Sequence, residues 1–298
     1  MIYAKCVNGN QELIKMNRNK SFDQNPTLYL IATPIGNLKE FSPRALEVIN
    51  QCDFLASEDT RNTANLLKHF GIEKKIISLR EHNENEASEY VCKKILEGQT
   101  VGYMSDAGYP GISDPGYLLV KQAIKYHINV STVSGSSAFI NALVASGLNT
   151  DHFYFYGFLS PKEKEAKETL LSLSNRHETL IFYESPHRIK KTMDLLIELF
   201  PHRDIVLARE LTKLNEEYIR AKVEEFKDFD YESIKGEMVI ILSGNIEENE
   251  ISDEQIKNKI SYLLNLGVSK KIAITIIKDE YQINKNRVYK LAEEVEGQ

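Results

Sequence analysis

The chain contains no tryptophan and only three cysteines among 298 residues. Cys6, Cys52 and Cys92 are an odd, widely spaced set with no Cys-x-x-Cys pair. That argues against a disulfide framework and a cysteine-rich zinc site, and fits a reducing, cytoplasmic setting. Long apolar runs are also missing: Lys, Glu, Asn or Gly interrupts every candidate before it reaches the length of a membrane span. Residues 1–25 hold Lys and Asn but no continuous apolar stretch, so they do not read as a secretory signal. No Gly-x-Gly-x-x-Gly follows the first strand-like run, which argues against NAD or FAD. A P-loop, a His-Glu-x-x-His motif, an EF-hand and a Cys/His cluster are all lacking, so no required metal is expected. Positive charge is in deficit, with 37 Lys and Arg against 43 Asp and Glu for a net charge of −6. That argues against indiscriminate binding of nucleic acid through a broad basic surface, and leaves room for an RNA enzyme with a local basic cleft.

What is present is the pattern of a globular α/β protein, with 42% hydrophobic and 27% charged residues and length enough for two cores. Strand-like runs at 28–33, 53–57, 75–79, 100–104 and 128–133 alternate with helix-like segments starting near Ser42, Thr60, Asn83, Asp114 and Ser136. Such alternation predicts a largely parallel sheet. The pattern restarts after Ser146-Gly147-Leu148, with strands expected at 152–157, 179–183, 204–208 and 237–242. Ser160-Pro161-Lys162-Glu163 has the form of a capping box with proline in the first turn, and Ser185-Pro186 opens another helix. Asn245 to Glu250 is polar and linker-like, and three short helices are expected from Ser252, Ser269 and Asn284. Their apolar stripes are Ile260, Leu263 and Leu264; Ile272, Ala273, Ile276 and Ile277; and Val288, Leu291 and Val295. The expected organisation is an N-terminal extension (1–26), an α/β domain (27–148), a second α/β domain (149–246) with a cleft between the two, and a three-helix module (247–298). The module reads either as a packing or dimerisation unit or as a helix-turn-helix that touches nucleic acid.

Six strand ends carry residues suited to chemistry. Ser105-Asp106-Ala107-Gly108-Tyr109-Pro110-Gly111-Ile112-Ser113-Asp114-Pro115-Gly116 packs three glycines, two prolines and two aspartates into twelve residues. Its second half reads as a helix start, with Asp114 as cap and Pro115 in the first turn. The first half needs another reason, and a ligand loop supplies one. Thr33-Pro34-Ile35-Gly36-Asn37-Leu38 and Val133-Ser134-Gly135-Ser136-Ser137-Ala138 offer small residues, hydroxyls and exposed backbone N–H groups at strand ends. Ser57-Glu58-Asp59-Thr60-Arg61-Asn62-Thr63 either caps a helix through Asp59 or Thr60, or uses its two acids to bind a hydroxylated substrate or to align Arg61 for a phosphate. Tyr183-Glu184-Ser185-Pro186-His187-Arg188 brings an acid, an imidazole and a guanidinium together, and Ala208-Arg209-Glu210-Leu211-Thr212-Lys213 adds a further charged loop. Glu184 and His187 are the candidate proton acceptors, and Arg188 is suited to bidentate phosphate binding.

Taken in order and spacing, these segments together with Leu28–Ala32, Gly157-Phe158 and Lys235-Gly236-Glu237 resemble the bacterial 16S rRNA cytidine 2′-O-methyltransferases of the tetrapyrrole-methylase superfamily. The resemblance runs from about Thr27 to Ser243, with a weaker helical match beyond. The sequence departs from the family pattern at Lys39-Glu40, at Tyr109 and at Ser134–Ser137. Residues 1–26 have no counterpart in the family and are expected to be a flexible tail or an extension from an upstream start.

The resemblance implies S-adenosylmethionine as methyl donor, bound in the interdomain cleft by Pro34, Gly36, Asn37, Ser105, Asp106, Ala107, Gly108, Pro110, Ser134, Gly135, Ser136 and Ser137. It implies a cytoplasmic homodimer that methylates 16S rRNA, within the small ribosomal subunit, with no membrane association. Glu184, with His187 second, is then the group that takes the ribose hydroxyl proton, and Arg61, Arg188 and Arg209 meet RNA phosphates. Two other readings remain at this point: a small-molecule tetrapyrrole methyltransferase of the same superfamily, and a non-catalytic RNA- or ribosome-binding protein.

Overall fold

The computed structural model describes residues 3–7, 10–14, 25–245, 252–281 and 283–296. Compact units divide at Gly244, giving residues 1–244 and 245–298. Within 1–26, strands β1 (Tyr3–Val7) and β2 (Asn10–Ile14) pair as an antiparallel hairpin. The remainder of that extension up to residue 24, and the expected linker from 246 to 250, lie outside the described residues.

The first lobe is a five-stranded, wholly parallel sheet of β3 (Thr27–Ile31), β4 (Phe54–Ser57), β5 (Ile76–Ser78), β6 (Val101–Met104) and β7 (Asn129–Val133) in the order β5-β4-β6-β3-β7. Helices α1 (Pro43–Gln51) and α2 (Thr60–His69) cover one face, where Ala45, Val48, Ile49 and Leu67 meet Leu55, Met104 and Val133. Helices α3 (Glu84–Leu96) and α4 (Tyr117–Lys125) cover the other, placing Val91, Ile95, Leu119 and Ala123 against Leu28, Phe54, Val101 and Tyr103. Covering both faces explains why these strands read as continuous apolar runs rather than alternating ones. Each fully buried Leu, Ile or Val contributes roughly 1.5–3 kcal/mol.

The expected start of α4 is displaced. Asp114 does not cap it: Gly116 occupies the N-cap, and the cap oxygen comes from α3, where Glu84 Oε1 accepts the Gly116 and Leu118 N–H groups at 2.8 and 3.0 Å. A carboxylate at a helix N-terminus both satisfies orphan donors and meets the positive end of the dipole. Asp114 is thereby released to face the cleft described below.

The second lobe is a mixed sheet of β8 (Phe153–Phe158), β9 (Thr179–Glu184), β10 (Asp204–Arg209), β11 (Glu217–Lys222) and β12 (Met238–Leu242) in the order β11-β10-β12-β9-β8. Only β8 and β9 run parallel. Helices α6 (Glu163–Ser172) and α7 (Ile189–Leu199) pack on one face. On the other lies α5 (Ala138–Ser146), whose Ala142 and Leu143 contact Ile181, Val206, Val239 and Ile241. By packing, therefore, α5 belongs to the second sheet, and the chain passes between lobes at Ser134–Ser137, ahead of Ser146-Gly147-Leu148. The Ser160-Pro161 segment does not form the expected box: α6 begins at Glu163 after an N-cap at Lys162, and the Ser160 hydroxyl donates to Glu165 instead.

In the unit 245–298, helices α8 (Asp253–Asn265), α9 (Lys270–Tyr281) and α10 (Lys285–Glu296) enclose Ile256, Ile260, Leu263, Ala273, Ile274, Ile277, Val288, Leu291 and Ala292. Ser252 and Gln255 form a capping box at the start of α8. The expected stripe on α9 is rotated: Ile274 is buried, while Ile272 and Ile276 face solvent.

Candidate active site

Strands β6, β3 and β7 are neighbours in the first sheet, so the loops that follow them emerge side by side at its carboxyl edge. That edge is where open α/β sheets bind ligands. Here the three loops are tied to one another. Thr33 and Gly108 form an isolated bridge, with N···O distances of 2.8 and 3.1 Å, that joins the loop after β3 to the loop after β6. The Tyr109 hydroxyl accepts the Gly135 N–H at 3.2 Å, which adds the loop after β7. Ser136 donates to Glu40 at 2.7 Å. Gly135 must be glycine, because a Cβ there would sit 2.9 Å from the Ala32 Cβ and 3.1 Å from its carbonyl oxygen.

The second lobe closes over this platform. The aliphatic stem of Lys213 lies across Gly36, where a Cβ would come within 2.5 Å of the lysine Cγ, and Lys213 Nζ pairs with Glu210 at 2.8 Å. Between the lobes is a cavity of ≈ 420 Å³ bounded by Ala107, Gly108 and Ser137 from the first lobe and by α5, Tyr183, Leu211 and Val239 from the other side. This is a size ordinary for small-molecule sites. Glu58, Asp106, Asp114, Glu184, Glu210 and Glu237 also line it, against the single cation Lys213. Crowding of acids away from water has the expected effect. Burial and the Glu58 carboxylate push Asp114 up to about 6, with Asp106 and Glu237 adding to the rise and a hydrogen bond from Ser105 opposing it. Glu58 is itself raised by burial and then by Asp106, with Arg80 opposing. Tyr183 is pushed up to about 12 by burial. Ser113 and Glu210, which line the cavity, and Thr212 next to Leu211 and Lys213 hold φ values of 61, 50 and 66°, a left-handed backbone that non-glycine residues rarely adopt.

The predicted site residues divide into groups. Asp106, Ala107, Gly108, Ser137 and Glu184 border this cavity, whereas Pro34, Gly36, Ser105 and Asp106 border a second one beside it. Asn37 caps the short turn 38–40 by accepting the Lys39 N–H; Pro110 is buried, and Ser134 is exposed without bordering either cavity. Glu184 is 2% exposed, and both of its oxygens are occupied: one by the Ser185 N–H at 2.8 Å with Arg188 Nε at 3.6 Å, the other by the Thr192 hydroxyl at 2.5 Å. His187 is exposed and borders neither cavity. Arg188 donates to the Leu159 and Ser160 carbonyls, and Arg209 to Glu217 and the Lys235 carbonyl, so both guanidinium groups hold the second lobe together. Arg61 is exposed, held by Asp59, and the pairing keeps that carboxyl well below its usual range. Asp114, expected as a helix cap, is a group of the cavity, and Glu58, one of the two acids of the strand end 57–63, lines it as well. The signal for Asp114 was masked because Asp-Pro-Gly has the form of a helix start.

A model of the tetrapyrrole (corrin/porphyrin) methylases matches residues 27–227. The chain is 40% identical to a ribosomal RNA small subunit methyltransferase I of Halalkalibacterium halodurans, across 90% of this chain and 95% of that one. It is 38% identical to the protein of the same name from Synechocystis sp., across 91% and 98%. Among solved structures, a uroporphyrin-III-C-methyltransferase from Thermus thermophilus superposes with a TM-score of 0.53 at 17% identity, covering 74% of this chain and 94% of that one. A diphthine synthase does so with 0.56 at 14% identity, covering 74% and 90%; these two likenesses speak to the fold alone. No helix among the described residues is long and apolar enough to cross a membrane. The match over both lobes, together with relatives aligned along nearly their whole length, establishes that the chain belongs to the tetrapyrrole methylase family, beside the ribosomal RNA small subunit methyltransferase I proteins.

Proposed function

We propose that this protein transfers a methyl group from S-adenosylmethionine to the 2′-oxygen of a cytidine ribose in 16S rRNA, acting on the small ribosomal subunit in the cytoplasm as a homodimer. The observation that carries the reading is the acid-lined cavity seated on three linked strand-end loops in a chain whose relatives are ribosomal RNA methyltransferases. A cavity with six carboxylates and one lysine fits a ligand with cationic groups, as the donor is. When bound, the donor supplies a methyl made electrophilic by its positive sulfonium.

The chain's own residues supply the rest. The loops after β3, β6 and β7 hold and orient the donor, and the closure of Lys213 over Gly36 limits water at the reacting atoms. Asp114 is the group we assign to take the hydroxyl proton. It borders the cavity, it is only partly buried, and its value near 6 leaves it ionised at neutral pH while making it a better base than an ordinary aspartate. Glu184, with both oxygens occupied, positions the strand end and Arg188 instead. Arg61 remains the RNA-facing guanidinium of the three expected. Exposed Val144 on α5 and Phe153 and Phe158 on edge strand β8 support a second copy of the chain as partner, since large apolar side chains on an edge strand need cover.

The test is mass spectrometry of 16S rRNA nucleosides from cells with and without the protein, paired with transfer of a labelled methyl to purified small subunits, free 16S rRNA and a tetrapyrrole. A 2′-O-methylcytidine that disappears with the protein, and label in small subunits alone, is the expected result. Label in the tetrapyrrole only, or no donor binding by calorimetry, refutes the proposal.

A further inference from the structure

Beside the donor cavity lies a second one of ≈ 340 Å³, bounded by the loop Pro34–Leu38 on one side and by α2 on the other. The two cavities have Asp106 in common. Pro34, Gly36, Ser105 and Asp106, which border this space, belong to the loops that hold the donor, but nothing in the methyl-donor reading uses α2, and this helix turns a polar face to the space. Asn62, Asn65, Leu66 and His69 follow the i, i+3, i+4, i+7 spacing of one helical stripe; Thr63 also borders the cavity, while Leu67 is buried toward the sheet. A stripe with two amides and an imidazole is suited to reading hydrogen-bonding edges, and the apolar side chains of Pro34, Leu38 and Leu66 are suited to contact with the faces of an aromatic ring.

The orientation of Asn62 is set by its neighbour. Asp106 Oδ2 lies 2.8 Å from Asn62 Nδ2, and a carboxylate oxygen accepts, so the amide nitrogen must face Asp106 and the amide oxygen must face elsewhere. The second carboxylate oxygen of Asp106 accepts the Asp59 N–H, which holds the arrangement in place. Asn62 thus offers a fixed acceptor. The side-chain amide of Asn65 makes no hydrogen bond to any described residue and supplies both a donor and an acceptor. Lys39 and Lys68, next in sequence to the lining residues Leu38 and His69, are exposed and in no ion pair with a described residue. They place positive charge where the phosphates flanking a bound nucleotide would pass.

We infer that the cavity between Pro34–Leu38 and α2 seats the base of the target nucleotide, and that the Asn62 amide oxygen selects cytosine by accepting from its exocyclic amine. Uracil presents an oxygen at the same place and meets the Asn62 oxygen unfavourably. Seating the base there, with Asp106 as the shared wall, brings its ribose to the mouth of the donor cavity. The inference rests on the RNA-methylation reading and adds to it the subsite and the residue that sets base identity.

The experiment compares the wild type with Asn62→Ala, Asn65→Ala and Asn65→Phe on small subunits reconstituted with cytidine or uridine at the methylated position. Donor affinity is measured separately by calorimetry. The wild type is expected to prefer cytidine by at least about 10-fold, and Asn62→Ala to lose most of that ratio. Asn65→Ala is expected to lower kcat/KM for the subunit about 10-fold, and Asn65→Phe, which fills the cavity, by more. Both leave the donor dissociation constant within 2-fold, which also certifies that they fold. An Asn62→Ala enzyme with full base discrimination, or Asn65 variants that lose donor binding, overturns the inference. A wild type that methylates no RNA at all instead refutes the proposed function, and the base subsite with it.

Discussion

Replacing Asp114 by Asn should make the protein more stable and less active, and the stability gain should depend on pH. An ordinary aspartate carboxyl in the unfolded chain titrates at 3.8, whereas burial and Glu58 raise Asp114 in the folded protein to about 6. The folded state therefore binds this proton more tightly than the unfolded state. Below 3.8 the group is neutral in both states and costs nothing. As pH rises through 6, keeping it charged in the fold costs up to roughly 3 kcal/mol relative to the unfolded chain. Asn is nearly the same shape and keeps an acceptor for Ser105, but it never ionises. At pH 8 the Asp114→Asn protein should melt about 5 °C above the wild type, given roughly 2–4 °C per kcal/mol for a unit of this size and some relaxation. At pH 3 the two should melt together. Methyl transfer to small subunits should fall about 100-fold or more, the usual cost of losing a proton acceptor, and the wild-type rate at saturating donor should drop below pH 6. Calorimetric melting at the two pH values, beside a single-turnover assay, tests both halves. Equal melting temperatures at pH 8 would refute the charge argument, and an unchanged rate would remove Asp114 from the chemistry.

The same electrostatics predict that donor binding near pH 6 expels a proton, because a cation beside Asp114 favours its charged form. Calorimetry in buffers of different ionisation enthalpy should show that release, with affinity rising from pH 5 to pH 7.5, and a pH-independent affinity counts against it. Glu84→Gln should lower stability by about 1 kcal/mol, read by thermal melting, since one neutral amide oxygen replaces the carboxylate that holds the Gly116 and Leu118 N–H groups. Glu184→Ala should cost on the order of 3 kcal/mol by stranding Thr192 and Arg188, whereas Glu184→Gln should keep most of the methylation rate. Loss of rate in Glu184→Gln at an unchanged melting temperature would return the proton-acceptor role to Glu184.

How far the sequence reveals such a site depends on the range over which each signal acts. The strands of both sheets except β11 are readable from short apolar runs, because a strand covered on both faces has few polar positions. Strand β11, Glu-Tyr-Ile-Arg-Ala-Lys, escapes that reading: it is an edge strand, and its charged residues protect an open edge while hiding the apolar alternation. The loops after β3, β6 and β7 are legible as glycine- and serine-rich strand ends. That they become one platform depends on a sheet order, β6-β3-β7, that no local pattern specifies. Asp114 shows the limit most clearly. Its neighbours Pro115 and Gly116 say helix start, and only Glu84, thirty residues earlier in the chain and brought near by α3, takes the capping role and leaves Asp114 for the cavity. Arg188 and Arg209 fail in the opposite sense: their residue type suits phosphate, but carbonyls far along the chain and, for Arg209, the Glu217 carboxylate on the neighbouring strand already occupy them.

An acidic cavity in an enzyme for RNA presents an apparent conflict, since every phosphate brought near it is repelled. The arrangement resolves the conflict by distance and by division of labour. In the proposed reading the carboxylates sit between the lobes, where one ribose edge has to reach, while Lys39 and Lys68 are exposed and next in sequence to Leu38 and His69 of the second cavity, which has Asn62 and Asn65 with one carboxylate, Asp106. Charge that would weaken a continuous RNA groove is tolerated at a point of entry one nucleotide wide. It also sharpens the chemistry. The carboxylates favour the donor while it is a cation, and transfer of the methyl removes that charge, so the spent donor loses part of its attraction to the cavity at the moment the product must leave. With a net charge of −6, the proposed reading draws affinity for RNA mainly from shape and from the seating of a single base. That is the recognition suited to an RNA already folded in a particle, where one nucleotide is presented and the rest need not be held.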